Sequence, residues 1–234
     1  MKKTLILLAA VLTTMAAMAA SPRPAKPNVV MILTDDLGWQ DVKCYDVDEP
    51  CPMETPNIDA LATKGVMFWQ AYSPSPVCSP SRVSILSGQH PARTEVTAVA
   101  GGTPPHFHVP HAGRTGPWNA IHMPDSVVSL ADVFKREGYA TGHSGKWHFS
   151  PQPGDIGFDS SVQHRGVQGG MANRLTGFAT RDPKDPFRLD ENGFPFDVPQ
   201  DTAMTVLKEK KEQPFFLYYA TWLVHGPISM KSEQ

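Results

Sequence analysis

The sequence predicts an α/β protein with a mostly parallel central sheet flanked by helices. Two runs, Val29–Leu33 and Phe215–Ala220, are apolar throughout, which is typical of strands that are buried on both faces of a sheet. Between them, segments with helix-start and helix-end signals alternate with further strand-like runs. This alternation favours a layered fold with parallel strands.

The first elements are predicted from apolar runs and turn residues. Val29–Leu33 is the first strand. Thr55 is suited to cap a helix that has Pro56 at its first position, and Gly65 closes that helix. Val66–Tyr72 follows as a candidate for another short strand.

Two helices are predicted in the middle of the chain. Ser79 caps the first, Pro80 takes its first position and Gly88 ends it. The second is amphipathic, spans Asp125–Gly138 and has basic residues in its last turn. Its apolar face consists of Val127, Leu130, Val133 and Phe134.

The last elements alternate in the same way. Tyr139–Gly145 is predicted to be a strand. A helix over Asp201–Glu212, capped by its first residue, directs Met204 and Leu207 inward. Phe215–Ala220 is the last clear strand.

The composition is that of a globular protein. Of 234 residues, 41% are hydrophobic and 19% are charged, which excludes a disordered, collagenous or coiled-coil chain. The net charge of −2 provides no basic field, so we expect no nucleic-acid partner. The Gly- and Pro-rich stretches Ala98–Met123 and Pro151–Pro199 are expected to be loops on a functional rim. A substrate rim and a plain loop surface are both open interpretations for His106, His108, His111 and Trp118.

Residues 1–19 are predicted to be a signal peptide. Two lysines precede the short apolar run Leu5–Val11, and Ala17–Ala19 is a small-residue cleavage site. We therefore expect a periplasmic or secreted protein. No later run of about 18 apolar residues occurs, so we expect no membrane attachment after cleavage.

The chain has three cysteines, Cys44, Cys51 and Cys78. An exported protein usually pairs its cysteines, and the short spacing allows a Cys44–Cys51 disulfide. Three buried thiols are an equally good interpretation. Both stay open from the sequence alone.

A carboxylate pair follows the first strand. Ligand sites in open α/β sheets lie at the carboxyl ends of strands, which is where Asp35 and Asp36 fall. Adjacent carboxylates repel each other, and a hard cation such as Ca²⁺ or Mg²⁺ relieves that repulsion. A turn before Gly38 is the simpler alternative.

A cysteine precedes a predicted helix. Cys78 lies where backbone N–H groups and the helix dipole favour an anion, and Arg82 adds a fixed positive charge. The motif predicts an electropositive pocket around a nucleophile, with a simple capped helix as the alternative.

Basic residues follow two more predicted strands. Lys146 and His148 are two positions apart, so on an extended backbone they point the same way. A cation beside an imidazole suits oxyanion binding and proton transfer. His225 follows the last strand in the same manner.

These motifs together resemble the sulfatase family of the alkaline-phosphatase-like superfamily. Residues 78–82 (CSPSR) with 86–88 (LSG) match the first family signature, and residues 138–148 (GYATGHSGKWH) match the second. The segments PNVVMILTDDLG and TPNIDALATKG extend the match, which covers about Lys26 to Pro227. An alkaline-phosphatase-like fold is the implied architecture.

The resemblance implies a formylglycine-dependent sulfuric ester hydrolase. Cys78 matches the cysteine that a separate maturation enzyme oxidises to Cα-formylglycine. The hydrated aldehyde attacks sulfur with one hydroxyl, and its second hydroxyl then expels sulfate. Asp35 and Asp36 match ligands of Ca²⁺, to which the modified Cys78 contributes an oxygen. The implied substrate is a sulfated carbohydrate or an aryl sulfate.

The remaining roles follow from the same resemblance. Arg82 and Lys146 match groups that stabilise the formylglycine and the sulfate. His148 matches the histidine that bonds the gem-diol and assists elimination. His225 matches the histidine that contacts the sulfate ester and protonates the leaving oxygen.

Family members are longer than this sequence. They complete the metal site with a later Asp-Asn pair and contact sulfate with a later lysine. We therefore expect residues 20–234 to be an incomplete N-terminal catalytic domain, truncated at its C-terminal side and inactive alone. Two alternatives remain open: a phosphatase or phosphonate ester hydrolase of the same superfamily, and a remnant that only binds anions. The Lys146 and His148 signature favours sulfate.

Overall fold

The structure is a computed structural model that contains one four-stranded sheet. It describes residues 26–47, 50–99, 119–163, 198–209 and 212–225. The strands are β1 (Val29–Leu33), β2 (Ala140–Gly145), β3 (Ser160–Val162) and β4 (Phe215–Ala220). Their order is β1-β4-β2-β3 and every pairing is parallel, which confirms the predicted fold class.

Helices accompany the sheet. They are α1 (Pro56–Ala62), α2 (Cys78–Ser87), α3 (Pro91–Thr94), α4 (Leu130–Arg136) and α5 (Val198–Glu209). Short 3₁₀ helices span Trp39–Asp41 and Pro153–Ile156. Within these described elements, no helix is both long and apolar enough to cross a bilayer.

The central strand β4 separates two apolar clusters. Phe216 and Tyr218 are fully buried on one face, in a cluster that includes Leu86 of α2. Phe215 and Leu217 face the other way and pack with residues of α5. The prediction that this strand is buried on both faces is confirmed, since it lies between β1 and β2 and packs against an apolar cluster on each face.

The same prediction is wrong for β1. Val30 and Ile32 are 44% and 61% exposed, whereas Val29, Met31 and Leu33 pack against the larger cluster. β1 is an edge strand in the described sheet, and α5 packs on β2 and β4 instead. Apolar composition alone does not distinguish an edge strand from a central one.

Two helix starts were predicted from proline positions, and only one is confirmed. Thr55 is the N-cap of α1 and Pro56 is its first residue, as expected, although the helix ends at Ala62. For α2 the expectation is wrong, because Val77 is the N-cap and the helix begins at Cys78. Ser79 does not cap the helix, since its hydroxyl donates instead to the backbone oxygen of His148.

The other helices differ from prediction at their ends. α4 begins later than Asp125, because Ser129 caps it and forms a reciprocal capping box with Asp132. α5 begins before Asp201 and ends before Glu212.

The predicted orientation of α5 is partly wrong. Leu207 packs against the cluster of Phe215 and Leu217, as expected. Met204 is 45% exposed, because it lies on the outer face of the helix.

Two strand assignments also change. Val66–Tyr72 forms no strand, and its apolar side chains are exposed, with Val66 at 81% and Tyr72 at 85%. Conversely, β3 lies inside a stretch that was expected to be loop; its three residues are too few to give a periodic signal. Residues 1–19 and the proposed rim residues His106, His108, His111 and Trp118 lie outside the described residues.

The cysteines are free thiols. Cys44 and Cys51 form no disulfide, which removes the bridged alternative, and only Cys51 is fully buried. Cys44 donates its backbone N–H to Asp59 at 2.9 Å. Burial and the charge of Asp59 raise the pKa of the Cys44 thiol, which disfavours its thiolate form.

Candidate functional site

The predicted site residues meet at the carboxyl edge of the sheet. Asp35 follows β1, Lys146 follows β2, and His225 follows β4. Because these strands are adjacent and parallel, their carboxyl ends lie side by side. The N-terminus of α2, at Cys78, faces the same edge through His148.

Two buried cations share one buried carboxylate. Arg82 Nη2 lies 3.2 Å from Asp35 Oδ1, and Lys146 Nζ pairs with Asp35 Oδ2. Arg82 Nη1 also donates to the backbone oxygen of Lys146 at 2.8 Å. All three side chains are at most 5% exposed. Two positive charges against one negative charge leave this cluster net positive, which suits an anionic ligand.

The cysteine is paired with a histidine. Cys78 Sγ lies 3.1 Å from His148 Nδ1. The buried hydroxyl of Ser79 donates to the backbone oxygen of His148 at 2.6 Å and so ties α2 to this segment. His148 has a φ of 75°, a left-handed backbone that a non-glycine residue rarely adopts. The strained conformation directs its imidazole to the start of α2 rather than along the strand.

The end of β4 is fixed against β1. Thr221 donates its N–H to Leu33 O at 3.0 Å, Asp35 donates to Leu223 O at 2.8 Å, and Val224 donates to Asp35 O at 2.7 Å. These bonds continue the strand pairing past the last ladder residues. His225 is therefore held beside the carboxylate pair rather than on a free loop.

His225 and Asp36 face each other on the outer side of this edge. His225 Nε2 lies 3.8 Å from Asp36 Oδ2, and the Asp36 side chain is 62% exposed. Asp36 has a φ of 61°, which turns it away from its buried neighbour Asp35. The two adjacent carboxylates thus have different environments: one is buried between cations, and the other is open to solvent.

The donor set fits a hard cation only in part. Asp35 and Asp36 offer the carboxylate oxygens that Ca²⁺ prefers. Among the described residues, however, no group of three or more Asp, Glu, His or Cys side chains is placed to hold a metal ion. Asp35 is moreover engaged by Arg82 and Lys146. A calcium site would need further oxygen donors.

The sequence analysis missed an aromatic residue at this site. The Lys146 ammonium lies over the ring of Trp222, 4.8 Å from its centroid. The same indole meets the His225 ring at 6.5 Å with an interplanar angle of 81°. Trp222 lies only three residues before His225, which was the available signal.

A second missed group lies behind the cation cluster. Tyr218, on β4, and His143, on β2, are fully buried with ring centroids 5.7 Å apart. Burial raises the pKa of Tyr218 to about 12, against the opposing charge of Arg82. Burial, aided by Arg82, lowers the pKa of His143 to about 4. Both groups are therefore neutral at pH 7.

Comparison with solved structures supports the fold. A protein from work on glycosaminoglycan metabolism by Bacteroides thetaiotaomicron aligns with a TM-score of 0.61 and 27% identity, over 87% of this chain and 52% of the other. Another solved structure, in complex with its substrate D-glucosamine-2-N,6-O-disulfate, aligns with a TM-score of 0.59 and 23% identity, over 86% of this chain and 35% of the other. The protein is thus an α/β protein of the alkaline-phosphatase-like class.

Sequence comparison gives the family. The sulfatase family model matches residues 27–234, and the chain belongs to the sulfatase family. Human N-acetylgalactosamine-6-sulfatase is 31% identical over 90% of this chain. N-acetylgalactosamine-6-O-sulfatase of Bacteroides thetaiotaomicron is 33% identical over 80% of it. The aligned regions cover 42% and 33% of those relatives, so this chain spans less than half their length.

Proposed function

We propose that the protein hydrolyses sulfate esters of carbohydrates, with Cys78 as the precursor of its nucleophile. The observation that carries this proposal is the buried cluster of Arg82 and Lys146 on one carboxylate, next to the Cys78–His148 pair. A net positive pocket beside the side chain that becomes the nucleophile suits transfer of a sulfuryl group.

Cys78 needs oxidation to Cα-formylglycine by a separate maturation enzyme before it can act in this way. The hydrated aldehyde would supply one hydroxyl that loses its proton and attacks sulfur as the ester S–O bond breaks. The second hydroxyl would then lose its proton as the C–O bond to the sulfated oxygen breaks, which expels sulfate and restores the aldehyde. His148, at hydrogen-bond distance from the Cys78 side chain, is positioned to accept that second proton. Arg82 and Lys146, which both contact Asp35, stabilise the formylglycine and the sulfate group.

In this proposal, His225 acts on the leaving group. It lies on the outer side of the carboxyl edge with a side chain 31% exposed, so a substrate entering from solvent meets it. When protonated it can donate a proton to the ester oxygen as the S–O bond breaks. Asp36 Oδ2 lies 3.8 Å from His225 Nε2 on the same side of the site.

Asp35 and Asp36 would hold Ca²⁺ together with donors beyond the described residues. Such an ion would neutralise negative charge that develops on the sulfate oxygens. Export to the periplasm or the outside, by removal of residues 1–19, belongs to the same proposal. The substrate class is supported by the named relatives, which act on 6-sulfated N-acetylgalactosamine.

The test is sulfate release by the gene product that carries this chain, produced together with a formylglycine-generating enzyme. Substrates are 6-O-sulfated N-acetylgalactosamine and 4-nitrophenyl sulfate, with 4-nitrophenyl phosphate as the comparator. We expect sulfate ester turnover that Cys78→Ala abolishes and that Cys78→Ser nearly abolishes, because a serine ester has no second hydroxyl. Faster turnover of the phosphate ester, or equal turnover by Cys78→Ala, would contradict the proposal.

A further inference from the structure

Trp222 contacts two basic groups of the site, the buried Lys146 and the partly exposed His225. Its ring lies under the Lys146 ammonium at 4.8 Å, and its edge meets His225. A cation within about 6 Å of an indole centroid is attracted by the ring quadrupole, and this attraction strengthens as the pair is desolvated. Lys146 is 1% exposed, so its contact with Trp222 is in the desolvated range.

The backbone around Trp222 leaves its position little freedom. Thr221 is bonded to Leu33 on one side, and Leu223 and Val224 are bonded to Asp35 on the other. Leu223 also donates its N–H to Thr221 Oγ1 at 3.1 Å across the tryptophan. The indole is therefore presented by a fixed segment, not by a mobile loop.

Lys146 has two restraints of different kinds. One is the carboxylate of Asp35, and the other is the indole face of Trp222. A divalent cation bound through Asp35 would compete with Lys146 for that carboxylate. The indole face of Trp222 offers no lone pair to such an ion. The contact between Trp222 and the Lys146 ammonium would therefore persist.

We propose that Trp222 is a positioning residue that fixes the Lys146 ammonium for contact with the sulfate group. This inference rests on the proposed function, because it assigns Lys146 to sulfate binding. Trp222 acts through Lys146 and holds the charged nitrogen at the carboxyl edge of β2. Its second contact places His225 on the same side of the pocket.

The experiment measures binding of inorganic sulfate by calorimetry, at constant ionic strength maintained with chloride. It compares the unaltered chain with Trp222→Phe, which keeps an aromatic face, and with Trp222→Leu, which does not. Trp39→Leu is the matched control, since Trp39 is a half-exposed tryptophan in contact with Tyr45. Lys146→Met and the double variant Trp222→Leu/Lys146→Met complete a double-mutant cycle.

We expect Trp222→Leu to weaken sulfate binding about 3- to 30-fold and Trp222→Phe to weaken it less than about 3-fold, since phenylalanine retains part of the quadrupole attraction. In the Lys146→Met background, Trp222→Leu has no further effect. Trp39→Leu leaves the affinity unchanged. An equal loss in both backgrounds, or no loss with Trp222→Leu, would overturn the inference.

A second measurement separates this inference from the proposed function. Reductive methylation followed by peptide mass mapping reports how accessible the Lys146 amine is, with or without sulfate binding. If the unaltered chain binds no sulfate, the anion site of the proposed function fails. Faster Lys146 methylation in Trp222→Leu than in Trp222→Phe then still supports the positioning role, and equal rates in the two variants refute it.

Discussion

The side chains of Cys78 and His148 meet at 3.1 Å, although they lie 70 positions apart in the sequence. Cys78 opens a helix, and His148 follows a strand on the neighbouring layer. The left-handed backbone of His148 and its bond from Ser79 bring the two groups together. The Cys78–His148 contact therefore depends on how α2 is attached to the segment that follows β2.

Ser79→Ala should weaken the attachment of α2 to the segment that follows β2. It removes the 2.6 Å bond to His148 O and leaves a partly buried carbonyl without this donor, so we expect a loss of about 1–3 kcal/mol in the free energy of unfolding. Urea denaturation measures it. Ser87→Ala, in the last turn of the same helix, is the control and should cost less than about 1 kcal/mol, because within the described residues the Ser87 hydroxyl accepts only the local N–H of Gln89. Equal losses would argue against a role for the Ser79 bond.

Substitutions of Asp35 and Asp36 should differ in their effect on stability but agree in their effect on calcium binding. Asp35→Asn leaves Arg82 and Lys146 buried without their carboxylate, and we expect it to cost about 3–5 kcal/mol of stability. Asp36→Asn changes an exposed side chain and should cost less than about 1 kcal/mol. Both should weaken Ca²⁺ binding in calorimetry, because each removes a charged donor. Calcium affinity that is unchanged in both variants would rule out these ligands.

Gly145 should tolerate no side chain. It has a φ of 108°, and a Cβ at this position would collide with the carbonyl group of Ala220 on the adjacent strand. We expect Gly145→Ala to cost more than about 3 kcal/mol, since both the backbone and the β2–β4 contact must shift. Gly88→Ala is the control: its φ is 65° but open space surrounds it, so strain alone costs about 1 kcal/mol. An equal change in melting temperature for Gly145→Ala and Gly88→Ala would contradict this expectation.

Stability should fall in acid through His143. Burial and the charge of Arg82 lower the pKa of this histidine from 6.5 to about 4, so the unfolded chain binds its proton first as the pH falls. The stability linked to neutral His143 is fully present above pH 6.5. It is lost as the pH falls from 6.5 to 4, which lowers the free energy of unfolding by up to about 3 kcal/mol. His143→Gln removes the titration and can keep the bond to Ser161. Unfolding curves across this interval should show a shallower pH slope for the variant, and identical slopes would refute the assignment.

The sequence predicted those features that local chemistry determines. The apolar run Phe215–Ala220, the proline at the start of α1 and the glycine at the end of α2 are each read from a few adjacent residues, and the structure has all three. The edge position of β1 was not predictable, because it depends on which strands pair over long distances.

The same limit applies to the site. Asp35, Lys146 and His225 were predicted from their positions after strands, and parallel pairing brings those strand ends together. Trp222 was missed because an aromatic residue after an apolar strand is most simply interpreted as core. Ser79 was misassigned because its hydroxyl can cap a helix or bond a distant carbonyl, and only tertiary structure decides between them.

The central claim is that Cys78 is the precursor of the catalytic nucleophile, and the mass of its tryptic peptide tests this most directly. The chain is produced together with a formylglycine-generating enzyme, and a known sulfatase is produced in the same host as the positive control. We predict that the Cys78 peptide loses one sulfur and two hydrogens and gains one oxygen, while the Cys44 and Cys51 thiols are unchanged. A Cys78 peptide found only as the thiol, alongside a converted control, would contradict the account.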